Sequence, residues 1–225
     1  MTEIVLASNN KKKIAELETL FTSKTSNAVR LLSLKEIGFD GDIDENGTSF
    51  EENSLIKASA PAKLGYIGIA DDSGLAVDYL DGAPGIYSAR YSGEGADDEK
   101  NRALLLKNLD GVAAENRGAK FVCTASVVLP ENCPIRIPEE WRISEELSAK
   151  TGIPADRAMV VRGECFGSIL TEERGEGGFG YDSLFYYPQF DATFAEIPQD
   201  KKNEVSHRGV AMREFTDKIV KIINK

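Results

Sequence analysis

Apolar runs of strand length alternate with helical stripes along the first half of the chain. The run at residues 3–7 predicts a buried strand, and residues 11–21 carry apolar side chains on one face of a predicted helix. Ser49 and Glu52 have the S-x-x-E spacing of a helix capping box. The same patterns predict strands at 29–34 and 66–70, an extended segment at 75–80, and helices at 49–64 and 98–108, with Pro61 kinking or restarting the first of these helices.

The second half of the chain has a different order of elements. Two strand-like segments, 120–129 and 158–170, follow one another and predict antiparallel pairing, whereas the alternating first half predicts βα units. Residues 130–156 between them contain four prolines and the only tryptophan, so we predict an excursion from the sheet. A final apolar stripe predicts a helix at 207–223. The two halves together indicate an α/β protein.

Composition and charge narrow the class of protein. The 225 residues are 41% hydrophobic and 28% charged, as in folded soluble chains of one or two domains. A net charge of −10 disfavours broad binding to nucleic acid or to an anionic membrane. We predict no signal peptide, and no apolar run approaches the ~20 residues of a membrane helix. Three cysteines without a C-x-x-C pair fit a reducing cytoplasm, and the single histidine, His207, excludes any site that needs two histidines.

The segment from Ser8 to Lys13 is the first candidate for binding chemistry. A predicted strand ends there and a helix begins, so free backbone N–H groups and the helix dipole would attract an anion. Asn10 and Lys13 lie three residues apart on one helix face and could hold a phosphate, although the Walker glycine spacing is absent. A helix cap followed by a solvated lysine run is the alternative interpretation.

Carboxylates form the second candidate. Asp71 and Asp72 follow a predicted strand, and because successive strand side chains alternate in direction, only one of them can face a given site. A carboxylate at the carboxyl end of a strand is well placed to hold Mg²⁺ together with substrate phosphates, while an ordinary polar turn is the alternative. Glu45 belongs to an acidic stretch upstream, and Lys57 could reach a phosphate or simply pair with a glutamate.

Two later segments could recognise a ligand. Residues 175–182 are rich in glycine and include Phe179, so the backbone can approach a ligand closely and a ring can stack on a base, although a hairpin or bulge is the alternative. Residues 201–209 place His207 and Arg208 in the first turn of the last predicted helix, where cations oppose the helix dipole. That local conflict suggests an anionic or carbonyl-rich ligand, although a lone histidine is more often structural.

Six short motifs occur in order along the chain: Ser8-Asn9-Asn10-Lys11-Lys12-Lys13, Phe50-Glu51-Glu52-Asn53 with Lys57-Ala58, Ala70-Asp71-Asp72-Ser73-Gly74-Leu75, Gly82-Ala83-Pro84-Gly85-Ile86-Tyr87-Ser88-Ala89-Arg90-Tyr91, Gly178-Phe179-Gly180-Tyr181-Asp182, and Ser206-His207-Arg208-Gly209. In this order they resemble the inosine/xanthosine triphosphate pyrophosphatase family, enzymes that remove non-standard purine nucleotides. The resemblance extends over nearly the whole chain apart from about residues 130–156. Each motif is modest alone, and six in register are highly specific.

The resemblance implies an architecture and an activity. The expected fold is an elongated α/β structure, in which a mixed β-sheet with flanking helices splits into two lobes around a cleft. It forms a single domain over residues 1–225 with an insertion at about 130–156. The expected activity is Mg²⁺-dependent hydrolysis of ITP, dITP or XTP to the monophosphate and pyrophosphate, which cleanses the nucleotide pool. The expected protein is a cytoplasmic homodimer that binds a small-molecule nucleoside triphosphate, with no nucleic acid and no membrane partner.

The resemblance also implies roles for individual residues. Asp72 is the expected catalytic residue and, with Glu45, the expected metal ligand. One departure is that Ser8-Asn9 stands where the family usually has Thr-Gly, but serine keeps the hydroxyl and asparagine tolerates positive φ. A pyrophosphatase for other modified nucleotides and a non-catalytic nucleotide-binding module remain as alternatives. The residues expected to bind substrate, with the later ones around the base, are Ser8, Asn9, Asn10, Lys11, Lys12, Lys13, Lys57, Ser73, Phe179, Gly180, Tyr181, Asp182, Lys202, His207 and Arg208.

Overall fold

Helices flank one seven-stranded sheet in a mixed α/β fold. The computed structural model describes residues 2–8, 11–25 and 29–224. In these ranges, no helix has the length and apolar character needed to cross a bilayer. The elements in chain order are β1 (Thr2–Leu6), α1 (Lys11–Thr25), β2 (Val29–Ser33), α2 (Phe50–Lys63), β3 (Ile67–Val77), α3 (Asp98–Asn108), β4 (Gly118–Val128), α4 (Glu145–Thr151), β5 (Ala158–Ile169), β6 (Phe185–Tyr187), β7 (Ala192–Thr193), α5 (Gln199–Val205) and α6 (His207–Ile223).

The sheet combines parallel and antiparallel strands in the order β2-β1-β3-β4-β5-β6-β7. Strand β1 pairs in parallel with both β2 and β3, while β6 pairs antiparallel with β5 and β7. At one end of the β4–β5 pair, the Ile169 N–H donates to the Arg117 carbonyl, and at the other the Leu129 N–H donates to the Arg157 carbonyl. The start of β4 therefore meets the end of β5, which confirms the predicted antiparallel pairing.

The chain divides into two compact units, each assembled from separated stretches of sequence. Unit 1 contains residues 1–72, 124–162 and 211–225, and its core includes Val5, Leu55 and Ala158. Unit 2 contains residues 73–123 and 163–210, and its core includes a cluster of aromatic rings. The expected cleft and the expected single domain stay predictions.

Strand β3 differs from its sequence-based prediction. The Asp71-Asp72-Ser73-Gly74 segment contains residues that favour turns, yet β3 runs through it without interruption from Ile67 to Val77. Asp71 is buried and Asp72 is partly exposed, as expected for neighbours that point to opposite faces. The polar-turn alternative is therefore wrong, and Asp72 lies within a strand rather than after one.

Residues 130–156 leave the sheet between β4 and β5, as predicted, and carry the short helix α4. The segment returns to unit 1 through backbone hydrogen bonds, because the Ile137 N–H donates to the Asp156 carbonyl and the Ile143 N–H donates to the Ala158 carbonyl. The ammonium of Lys218 lies 5.7 Å from the ring centroid of Trp141. The identification of this segment as an insertion stays a prediction.

Arg117 is buried in unit 2 although it is charged. Arg117 is only 3% exposed, and burial lowers the pKa of its guanidinium. The guanidinium donates from Nε to the Ile169 carbonyl at 2.7 Å, from Nη1 to the Leu109 carbonyl at 2.8 Å and from Nη2 to the Leu170 carbonyl at 2.8 Å. Carbonyls at element ends need donors from outside the element. Arg117 supplies them where α3 and β5 end.

The predicted capping box at the start of α2 is confirmed in a modified form. The Glu52 N–H donates to Ser49 Oγ at 3.2 Å, while the Glu52 carboxylate accepts from the Thr48 N–H at 2.7 Å and the Thr48 hydroxyl at 3.0 Å. The glutamate thus reaches one residue beyond the cap. The helix then continues through Pro61 to Lys63, so the predicted restart at Pro61 does not occur.

Glu52→Gln should destabilise the fold at neutral pH but much less in acid. The Thr48 N–H donates to the Glu52 carboxylate, and this hydrogen bond lowers the pKa of Glu52 below its ordinary 4.5. Burial acts in the opposite direction but has the smaller effect. Because the pKa is lower in the folded chain, this stabilisation is present above about pH 4.5 and is lost as pH falls through the folded value. We expect the free energy of unfolding to fall by about 1 kcal/mol at pH 7. Urea denaturation at pH 7 and pH 3 measures this, with exposed Glu146→Gln as control; an equal loss at both pH values would contradict the prediction.

Candidate active site

One ammonium group joins two carboxylates in unit 1. The Nζ atom of Lys57 on α2 lies 2.8 Å from Oε2 of Glu45 and 2.8 Å from Oδ1 of Asp72 on β3. The Lys57 and Asp72 side chains are each 13% exposed, and Glu45 is 34% exposed. Three of the residues expected to serve the reaction are therefore in direct contact.

Close packing of α2 on β3 places Lys57 beside Asp72. A Cβ at Gly68 would lie 2.0 Å from the Ala58 carbonyl oxygen and 2.7 Å from Pro61 Cγ, so only glycine allows this approach. Ala58 follows Lys57 in α2, and Gly68 lies four residues before Asp72 in β3. The approach of helix to strand at this point therefore determines the distance between the two charged groups.

A buried cluster of hydroxyl groups joins the same helix to the neighbouring strand β4. Thr124 Oγ1 on β4 donates to the Phe50 carbonyl at 2.9 Å, and Ser54 Oγ lies 2.6 Å from Ser126 Oγ. Thr124 and Ser126 are two residues apart, so both point to the face of β4 that α2 covers. Sequence analysis missed this cluster. Its signal was the alternation of small polar residues within an otherwise apolar strand.

The shared ammonium sets the electrostatics of the cluster. Burial by itself would lower the pKa of Lys57, but the charges and hydrogen bonds of Asp72 and Glu45 together raise it above its ordinary value. Burial raises the pKa of Asp72, the Lys57 ammonium opposes that shift, and the Glu45 and Asp71 carboxylates add to it. The ammonium is held firmly in its charged form, but it does not fully offset the effect of burial on the pKa of Asp72.

The two carboxylates fit a magnesium ion that also binds substrate. Within the described ranges, no group of three or more His, Cys, Asp or Glu side chains could hold a metal ion. Mg²⁺ is usually bound through one or two carboxylates plus substrate phosphates and water, rather than by a full set of protein ligands. Glu45 and Asp72 supply such a pair, and the ammonium between them leaves one net negative charge on the three groups.

The first candidate segment is only partly described. Ser8 lies two residues after the end of β1, and its N–H donates to the Leu6 carbonyl at 2.7 Å. Asn9 and Asn10 lie outside the described residues. Helix α1 begins as predicted at the backbone of Lys11, Lys12 and Lys13, but the structure does not describe the side chains of these three residues. The proposed phosphate contacts of this segment therefore stay predictions.

Unit 2 contains a second cluster of expected site residues. Lys202 Nζ on α5 lies 2.5 Å from Oδ2 of Asp182, and both side chains are buried. The same carboxylate oxygen accepts from the Phe179 N–H at 2.8 Å, and the Lys202 ammonium lies 4.9 Å from the Phe179 ring centroid. The Phe179 residue is 75% exposed, so its ring presents a face that a ligand can stack on.

The remaining expected residues of unit 2 differ in exposure. Tyr181 is buried; its hydroxyl donates to the Ser88 carbonyl at 2.8 Å, and burial raises its pKa. The His207 ring stacks on Phe121 with centroids 4.8 Å apart. Arg208 is partly buried in the first turn of α6, Gly180 is partly buried, and Ser73 is exposed in β3. The Gly209 N–H donates to Ser206 Oγ at 3.2 Å, which confirms Ser206 as the predicted cap of α6.

Comparisons with known proteins agree with the motifs. The Ham1 family model matches residues 4–218. A dITP/XTP pyrophosphatase of Listeria monocytogenes is 42% identical over 226 residues, covering 100% of this chain and 98% of the relative. A dITP/XTP pyrophosphatase of Clostridium perfringens is 39% identical, covering 99% of this chain and 100% of the relative. The solved structure of a HAM1 protein from Coxiella burnetii has a TM-score of 0.82 and 34% identity, covering 98% of this chain and 100% of that one. These matches confirm the predicted family and the predicted enzyme class, a hydrolase acting on acid anhydrides: the chain belongs to the Ham1 family.

Proposed function

We propose that the protein is a Mg²⁺-dependent nucleoside triphosphate pyrophosphatase that hydrolyses ITP, dITP and XTP to the monophosphate and pyrophosphate. This activity would remove non-standard purine nucleotides from the nucleotide pool of the cytoplasm. The observation that carries the proposal is the contact of Lys57 with both Glu45 and Asp72, in a chain whose curated relatives include dITP/XTP pyrophosphatases. The proposal includes a homodimer, which rests on the family resemblance alone.

Charge neutralisation is the main demand of the reaction. The triphosphate is highly anionic, and charge shifts to the departing pyrophosphate as the bond to the α-phosphorus breaks. The Lys57 ammonium would turn from the carboxylates toward the phosphate oxygens, and Lys13 would bind the same tail. Mg²⁺, when held by Glu45 and Asp72, would supply further neutralisation on the phosphates.

Asp72 is the proposed group that orients and deprotonates the attacking water. The water oxygen forms a bond to the α-phosphorus, the bond from that phosphorus to the bridging oxygen breaks, and the electron pair leaves with pyrophosphate. The proton of the water passes to the Asp72 carboxylate. Burial raises the pKa of this carboxyl group and so favours its protonated form, whereas a Mg²⁺ ion bound to it would act in the opposite direction. The oxygen that takes the proton would therefore be the one that does not hold the metal.

Recognition of the base would depend on hydrogen-bond polarity. Hypoxanthine and xanthine have a carbonyl at position 6, where adenine has an amino group. Donors such as Arg208, His207 or nearby backbone N–H groups would pair with the carbonyl and would face a second donor in adenine. Stacking on the exposed ring of Phe179 would add affinity for any purine without discriminating between them.

A nucleotide panel tests the proposal directly. The protein is incubated with ITP, dITP, XTP, ATP, GTP and methylated pyrimidine triphosphates, with and without Mg²⁺, and pyrophosphate and orthophosphate are measured separately. We expect pyrophosphate from the first three nucleotides only when Mg²⁺ is present. Turnover confined to the methylated pyrimidine triphosphates would favour a pyrophosphatase for other modified nucleotides. Binding without turnover would favour a non-catalytic nucleotide-binding module. Orthophosphate without pyrophosphate would mean that a different bond is cleaved.

A further inference from the structure

Helix α3 holds both hydrogen-bonding groups of a single loop residue, Gly180. The Gly180 N–H donates to Oδ2 of Asp98 at 2.7 Å, and Nη1 of Arg102 donates to the Gly180 carbonyl at 2.9 Å. Asp98 and Arg102 are four residues apart, so they lie on the same face of α3. Two side chains of one rigid helix therefore define the position of this peptide segment.

We call the contacts of Asp98 and Arg102 with Gly180 the clamp. An ion pair holds its arginine in place. Nε of Arg102 lies 2.9 Å from Oε2 of Glu173, and the same carboxylate oxygen accepts from the Ser183 hydroxyl at 2.8 Å. Burial would raise the pKa of Glu173, but its hydrogen bonds with Ser183 and Arg102 lower it, so the carboxylate stays charged. Glu173 and Ser183 lie on the two sides of the glycine-rich loop. The Arg102 guanidinium therefore touches the base of the loop as well as its tip.

The clamp acts next to the exposed ring of Phe179. Phe179 precedes Gly180 in the chain, and the ring is largely solvent-exposed, so its direction depends on the backbone that carries it and on the Lys202 ammonium 4.9 Å from its centroid. Glycine-rich segments lose much conformational entropy when they are ordered. A Cβ at Gly178, whose φ is +77°, would lie 2.2 Å from Oδ2 of Asp182, so this glycine cannot be replaced by a stiffer residue.

We propose that Asp98 and Arg102 are positioning residues that pre-order the Phe179 loop for stacking on the nucleobase; this rests on the proposed function. Neither side chain needs to touch the substrate. A cavity of about 290 Å³ in unit 2 is lined by Asp98, Arg102 and Phe179 together, so the clamp is immediately beside the ring that it orients. Without it, part of the ordering of the loop would occur only when the base binds, and that entropy would be lost from the binding affinity.

Kinetics with a competitor that lacks a nucleobase distinguish the positioning role of Asp98 and Arg102 from a general structural role. Asp98→Ala and Arg102→Met each remove one side of the clamp, and we expect each to raise KM for dITP about tenfold with kcat within about twofold of the parent. The inhibition constant of inorganic tripolyphosphate, which has no base, should not change. Asp98→Asn keeps an oxygen that accepts from the Gly180 N–H and should restore most of the affinity. Glu99→Ala and Lys107→Met, at exposed positions of the same helix, are the matched controls.

Two measurements keep the proposal independent of turnover. Hydrogen exchange at the Gly180 and Tyr181 amides should be faster in Asp98→Ala and Arg102→Met, and calorimetry in EDTA should show dITP binding about tenfold weaker than in the parent. Faster exchange with unchanged dITP affinity would overturn the positioning role. An equal loss of affinity for dITP and for tripolyphosphate would overturn it too. A parent protein that binds dITP without hydrolysing it would refute the proposed activity alone. A parent that neither hydrolyses dITP with Mg²⁺ nor binds it in EDTA would refute both.

Discussion

Asp72→Asn will lower turnover of the preferred nucleotide about 10³-fold while leaving the protein folded, because the amide cannot take the proton of the attacking water. The same change removes one of the two negative charges beside Lys57, and it weakens the pair of oxygens that would hold Mg²⁺. Both effects act on the reaction rather than on the core. The side chains are nearly equal in size, so β3 keeps its packing.

Initial rates of pyrophosphate release at saturating nucleotide and Mg²⁺ measure this loss, and urea denaturation checks the fold. Asp44→Asn is the matched control, since Asp44 is an exposed acid that adjoins Glu45 in the same loop. We expect that control to keep the parent rate. Near-normal turnover by Asp72→Asn would remove Asp72 from the catalytic role.

Arg117→Met will produce a large loss of stability without touching any proposed site residue. Methionine fills a similar volume, but it donates no hydrogen bond, so the carbonyls of Leu109, Ile169 and Leu170 lose their charged donor. The cost of burying the guanidinium, seen in its lowered pKa, offsets part of the gain from these bonds. The net effect should be about 3 kcal/mol, or a melting temperature about 10 °C lower.

Thermal denaturation followed by circular dichroism measures the change. Arg30→Met is the control, because Arg30 forms an exposed ion pair with Glu3 at 3.2 Å, and such pairs contribute little. Hydrogen exchange should locate the loss at the ends of α3 and β5. If Arg117→Met melted at the same temperature as Arg30→Met, the three hydrogen bonds would not stabilise unit 2.

Regular elements with a clear apolar period were predictable from the sequence. Helix α3 occupies the predicted 98–108 and helix α6 the predicted 207–223; Asp97 Oδ1 accepts from the Lys100 N–H at the start of α3, and Ser206 caps α6. The motifs also identified Lys57 and Asp72, and the resemblance implied Glu45; the structure brings these three residues together. Their contact was not visible in the spacing, since it depends on the close approach of α2 to Gly68.

Contacts between distant segments were not predictable from local patterns. The 71–74 segment has turn-forming residues, but β3 continues through it in extended form, so tertiary context overrides local preference. The hydroxyl cluster of Ser54, Thr124 and Ser126 joins segments about 70 residues apart. Asp98 likewise meets Gly180 across 82 positions. No periodicity within either segment indicates such a partner.

The interleaved order of the two units has a consequence for how the chain is made. Unit 2 has its last residue at position 210, whereas unit 1 also needs residues 211–225. During ribosomal synthesis, the stretch that carries Glu45, Lys57 and Asp72 emerges early. Unit 1, to which it belongs, is complete only after residues 211–225 have been made. No single cut in the chain separates the two units, so neither can be excised, exchanged between proteins or inherited as a contiguous cassette.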